Sequence, residues 1–200
     1  MSASANEEAT QPATAPSALS ASPAARLVAV VISALVYGAL VYISRFTPHV
    51  FGIQLLYPAP AVAPAFGLWF GVWGALGVVL GTVISQLPAG LNPLIWFPAN
   101  LGQALYALVP ALLYRQLSVD SVQSWLRYAV ACLLAAVGLE LLLAWNLALN
   151  GYVAFDVGMR TVFPTGVLTD VLWMVVVGPV VLNTVSPYVV RAGLRIRGLV

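Results

Sequence analysis

The chain has 200 residues, of which 62% are hydrophobic and only 7% charged, with a formal net charge of +2. Its mean hydropathy is +0.97; soluble domains have about a quarter of their residues charged, so this composition points to an integral membrane protein with no sizeable aqueous domain. Every basic residue is an arginine, and they are too few and too scattered for a nucleic-acid surface, while the single cysteine, Cys132, excludes an internal disulfide or a cysteine-based metal site.

A helix needs about 20 apolar residues to cross the hydrocarbon, so the chain has room for six crossings, or five, with short loops. The expected fold is therefore all-α, a polytopic membrane helix bundle. Residues 1–25, rich in Ser, Ala, Thr and Pro, read as a disordered tail that lacks the basic region and apolar core of a cleavable signal peptide. Residues 26–190 read as the transmembrane domain, and 191–200 as a short basic tail.

The first span runs from Leu27 to Ile43 between Arg26 and Arg45. Ala25, Ala29 and Ser33, and again Ala34 and Gly38, recur at spacings of four and give it small-residue packing faces. Thr47 to Pro64 is apolar but holds Pro58, Pro60 and Pro64, which break regular hydrogen bonding. A short, broken or re-entrant crossing is expected there.

Phe66 to Ile84 is the stretch around which the rest is organised. Gly67, Gly71, Gly74, Gly77 and Gly81 recur every three or four residues, so on one helix they form a flat ridge among Leu, Trp, Val and Phe. In a bilayer such a ridge lets other backbones approach closely, which predicts a central, glycine-ridged helix. Gly67, Gly71 and Gly74, with Ala25, Ala29 and Ser33, are the candidate contacts to a partner helix.

Pro88 to Pro93 reads as a turn, followed by a span from Leu94 to Tyr114 and a polar connector from Arg115 to Arg127 with a helix start at Ser121. Another span, Tyr128 to Leu149, carries Glu140 near its middle. Asn150 to Pro164 reads as a loop with Asp156 and Arg160, a helical ion pair or a lid contact, and the last span, Thr165 to Val185, as bent at Gly178-Pro179. Arg191, Arg195 and Arg197 mark the C-terminus as cytoplasmic in a multi-pass cell-membrane protein. Alternation then puts the Arg115 to Arg127 connector inside and the Arg160 loop outside, whereas the side of the N-terminus depends on the number of spans.

With that orientation the strong polar groups of the late spans crowd toward the outer half. Trp96, Asn100 and Gln103 stand at i, i+4 and i+7, and Asp170 and Trp173 at i and i+3, while Glu140 and Asn146 share the preceding span. Aromatic walls with a few amides and acids suit a small flat organic molecule, and an intramembrane carboxylate is a functional candidate by default. The competing reading makes the tryptophans an interfacial belt and has the amides bond across helices. Glu140 is either protonated and bonded to a neighbour or charged and paired with a cationic ligand group, an ion or an arginine. His49 is the one histidine, no Ser/His/Asp set assembles, and no Gly-Lys-Ser/Thr phosphate loop occurs, so neither an enzyme nor an ATPase is expected, and no cofactor. Any energy source would be a partner or a gradient.

The YPAPAVAPAFGLWFGVWGALGVVLG block and the small-residue first helix resemble the substrate-binding S components of energy-coupling factor (ECF) transporters over Arg26 to Arg197. The resemblance implies a six-helix subunit without its own nucleotide site that binds a vitamin-like nutrient near the outer side. A membrane coupling subunit and ATPases would be its partners, and Ala25, Ala29 and Ser33 would correspond to the docking face, with serine where the family has a third alanine. The same block, together with WFPANLGQALYALVPALLYR and LTDVLWMVVVGPVVL, also resembles membrane-associated sensor (MASE-type) modules, which signal to a cytoplasmic partner.

Overall fold

The structure, a computed structural model, describes residues 22–47, 49–50, 53–54 and 56–196. Among them the chain forms six helices: α1 (Pro23–Ser44), α2 (Ala59–Phe70), α3 (Val72–Gln86), α4 (Phe97–Leu113), α5 (Val122–Leu149) and α6 (Phe155–Arg191). Three of these, α1, α5 and α6, are long and apolar enough to cross a membrane. The apolar helices α2, α3 and α4 have 12, 15 and 17 residues. At 1.5 Å per residue they rise about 18, 22 and 26 Å, less than the roughly 30 Å of a bilayer's hydrocarbon. Most of the chain called a disordered tail, 1–21, lies outside the described residues, as do 197–200 with Arg197.

Local chemistry sets the helix boundaries. Ser22 caps α1 by accepting from the Ala25 N–H, and Pro23 opens the first turn, where its missing N–H costs nothing. Ser121 caps α5 in the same way, accepting from the Ser124 N–H at 3.1 Å. Between α1 and α2, His49–Val50 and Ile53–Gln54 form an antiparallel ladder pairing His49 with Gln54 and Val50 with Ile53. The crossing expected from Thr47 to Pro64 is therefore replaced by a short ladder and a helix that starts only at Ala59. Pro60 sits in the first turn of α2, so of the three prolines only Pro64 lies inside regular helix.

The single helix expected from Phe66 to Ile84 is also corrected. It breaks at Gly71, whose φ of 59° and ψ of −135° belong to a region open to glycine and strained for other residues. From this corner α2 and α3 both run toward the same end of the bundle, where Tyr57 and Gln86 meet their partners. A Cβ on Gly74 would overlap the Phe66 carbonyl, so the arms close tightly just past the corner. Every residue of α2 except Val62 is buried, which makes this half of the glycine-rich stretch the central element.

Past Gly74, the α3 glycines Gly77 and Gly81 turn outward from α2 to meet α1. A Cβ on Gly81 would stand 2.5 Å from the Ala34 carbonyl oxygen and one on Gly77 2.6 Å from that of Val30. Gly38 faces the Gly81 backbone in return. Backbone thus meets backbone along most of the α1–α3 contact, a packing mode favoured in bilayers, where small residues let helices gain dispersion contact.

The loop expected from Asn150 to Pro164 is shorter than its sequence suggested. Gly151 takes a left-handed conformation, φ 71°, and reverses the chain after α5, which frees Phe155 onward to be helical. Gly158–Val162 forms one π-helical turn, and Pro164 follows it at a position where helices tolerate proline. Asp156 and Arg160 both lie on this helix and are exposed. Along α6 the buried residues are Gly158, Val162, Gly166, Asp170, Met174, Gly178, Leu182 and Ser186, one every fourth position, and then Val189. On the outer side Leu168, Leu172, Val176 and Val180 are each more than half exposed, a continuous apolar column suited to lipid.

Candidate functional site

Two carboxyl groups meet in the interior where α5 and α6 pack. Glu140 and Asp170 are each only 4% exposed, and their carboxyl groups are neighbours there. Gly166 makes room for the pair: any Cβ there would overlap the Glu140 carboxyl. The Tyr106 hydroxyl, from α4, donates to Asp170 Oδ2. Tyr37 of α1, also fully buried, donates to Gln103 Oε1 at 2.5 Å, and Tyr57, just ahead of α2, lies beside Tyr37. Four helices and the segment before α2 thus converge on one polar cluster of two acids, three tyrosines and an amide.

Two polar atoms in this part of the bundle have no protein partner. Glu140 Oε2 accepts no hydrogen bond, and Asn146 Nδ2, on a residue 1% exposed, donates none. A buried polar atom left unpaired costs about 1–3 kcal/mol, so these two atoms are the costly ones here.

The residues singled out from sequence fall into separate groups. Glu140, Asp170 and Gln103 belong to the cluster, and Asn146 lies on the same helix as Glu140. Asn100 does not join them: its amide is paired on both sides with Gln86, at 2.7 and 3.0 Å, and also donates to the Pro93 carbonyl at 3.3 Å. Trp96 is not the first plate of a helical face, because α4 starts after it; it stacks on Tyr152 at 5.3 Å between ring centroids. Trp173 is half-buried on α6, one turn past Asp170.

The candidate partner-helix residues are engaged within the chain. Ala29 and Ser33 are buried, Ala25 half-buried, Gly67 lies against the Ala107 backbone of α4, Gly74 against Phe66, and Gly71 forms the corner. Comparison with protein-family models, curated proteins and solved structures finds no match. Function therefore rests on the site itself.

Tyr37, Tyr57, Tyr106, Gln86 and Gly166 complete this arrangement and were not singled out from sequence. The usable signal was tyrosine inside an apolar run: a buried hydroxyl must find a partner, and Tyr37 and Tyr106 each sit mid-span, away from any interfacial belt. At the opposite end of the bundle the polar contacts are structural. Trp69 Nε1 donates to Ser186 Oγ at 2.9 Å, and Asn183 bonds both the N–H and the carbonyl of Val119, tying the α4–α5 connector to α6.

Proposed function

We propose that this chain is a multi-pass membrane protein that binds a small organic solute through the Glu140–Asp170 cluster and passes it to an energised partner. All six helices enter the bilayer in this reading, with α2 and α3 as a hairpin hinged at Gly71 and the C-terminus cytoplasmic. The carrying observation is the buried carboxyl pair with its unpartnered Glu140 Oε2, surrounded by tyrosine hydroxyls from three other parts of the chain. Acids are expensive inside a membrane and sit where they pair or bind something. Absence of a nucleotide-binding run from the sequence fits a subunit whose energy comes from elsewhere, as in the S components it resembles, with a membrane coupling subunit and ATPases as partners. Ser33 and Ala29 pack within the chain, so docking to a coupling subunit uses other surface, the exposed side of α1 with Leu27, Val31 and Leu35 being one apolar candidate.

Mass spectrometry of the protein purified without added ligand tests this. One small molecule at near one per chain is expected, copurifying with coupling and ATPase subunits from native membranes. Absence of any bound molecule, together with copurification of a kinase or cyclase, would overturn transport in favour of sensing.

A further inference from the structure

At the end of the bundle away from the acid cluster, α6 borders a groove of about 300 Å³. Leu182, Pro187 and Val190 of α6 line it with Leu117 of the α4–α5 connector, and the exposed Ser118 and Arg191 join them. The connector is fastened there by Asn183, which bonds both the N–H and the carbonyl of Val119, at 2.7 and 2.9 Å. The groove also continues the oily flank of α6. Leu172, Val176 and Val180 are followed at steps of three and four by Asn183, Pro187 and Val190, all exposed, so on a helix of period 3.6 they share one face. A hydrocarbon chain lying on that flank reaches the groove without leaving it.

Arginine gathers at this end. Arg26 lies over Trp73 beside the Gly71 corner, Arg115 follows α4, Arg127 stands in the second turn of α5 and Arg191 closes α6. Among the described residues the acid at this end is Asp120, which accepts from Ser118 Oγ at 3.4 Å. The Arg191 Nε donates to the Pro187 carbonyl at 3.2 Å, and its guanidinium carbon lies 4.8 Å from the centre of the Tyr188 ring. Held there, its planar fork suits a phosphate. Arg115 has a left-handed backbone, φ 61°, at a helix C-terminus where glycine is the usual residue, so a cation stands two residues ahead of Leu117 at a cost in strain.

We propose that this groove seats one anionic phospholipid of the bilayer, its acyl chain along Leu117, Leu182, Pro187 and Val190 and its phosphate against Arg191. Apolar walls that open onto a lipid-facing flank call for hydrocarbon, and the arginines around them call for negative charge. A zwitterionic lipid would bring its own cation toward the arginines, and a free phosphate would leave the apolar walls uncovered. The site is separate from the acid cluster. Asp170 precedes Leu182 by 12 residues of helix, a rise of about 18 Å, so the lipid and any solute at Glu140 and Asp170 share no residue.

The test is native mass spectrometry of the whole protein in neutral detergent, with palmitoyl-oleoyl phosphatidylglycerol and phosphatidylcholine added at equal concentration. One phosphatidylglycerol per chain should be retained, favoured over phosphatidylcholine by at least about fivefold, the size of one arginine's contribution at a membrane surface. Arg191→Gln should bring the two lipids to near equality. Val190→Trp, which fills the groove and leaves the arginine in place, should lower retention of phosphatidylglycerol by a similar factor, and Leu117→Trp provides a second filling variant should the first not fold. Equal retention of both lipids by wild type, undiminished preference in folded Arg191→Gln, or undiminished retention in a folded filling variant would each overturn the proposal. So would displacement of the lipid by inorganic phosphate at equal concentration, which would reduce the site to a headgroup contact. A wild-type dimer that Val190→Trp turns into a monomer would make a second copy of the chain the occupant instead.

Discussion

At the scale of single residues, Glu140 is held in place by a missing side chain. Because a Cβ at position 166 would overlap its carboxyl, Gly166→Ala should push the Glu140 head off Asp170 and away from Tyr106. The glutamate is long enough to swing aside, so the expected outcome is at least a tenfold loss of solute affinity, about 1.4 kcal/mol, with helix content by circular dichroism unchanged. Affinity like that of wild type would show that the carboxyl pair is not the binding centre. Glu140 and Asp170 were legible in the sequence because charge is rare in apolar runs. Gly166 was not, since its importance comes from a neighbour twenty-six residues earlier in the chain, and no local pattern records that approach. The tyrosines were passed over for a different reason: their rings suit both the membrane interface and the core, and only tertiary contact tells which.

At the scale of elements, the tightest pairing is α1 on α3. Gly81→Leu would drive a side chain into the Ala34 carbonyl and the Gly38 backbone, neither of which can move without shifting a helix. Loss of stability by more than about 3 kcal/mol is expected, beyond ordinary overpacking, whereas Leu35→Ala on the exposed side of α1 should change it by less than about 0.5 kcal/mol. Denaturant unfolding in mixed micelles checks both; equal effects would contradict the backbone-to-backbone interface. The small face of α1 and the ridge at Gly77 and Gly81 could be read from spacing alone. The corner at Gly71 could not, because the glycine period runs through it without interruption and both a straight helix and a hairpin satisfy that period. Likewise Asn150 to Pro164 looked like loop because of its polar residues and proline, but Gly151 reverses the chain and one π turn sets Pro164 where its missing N–H is tolerated.

At the scale of the whole molecule, polarity is gathered inside and at the ends while the flanks are oily. The apolar column of α6, with the exposed leucines and valines of α1 and α5, would be an aggregation surface in water and is an ordinary one against lipid. Within the bundle the polar groups split into two kinds. Asn100 and Gln86 answer each other fully and act as a clamp between α3 and α4, worth about 0.6–2 kcal/mol in a membrane. Glu140 and Asn146 retain unanswered atoms. This division yields the most direct test of the account: bound solute and unfolding temperature measured on the same preparations of wild type, Asp170→Asn and Asn100→Leu. Asp170→Asn keeps the shape of the side chain and an acceptor for Tyr106, so the account predicts that it loses the solute while unfolding within a few degrees of solute-free wild type. Asn100→Leu should lower the unfolding temperature and still carry the solute. Parallel loss of solute and stability in both variants, or solute retained by Asp170→Asn, would contradict it.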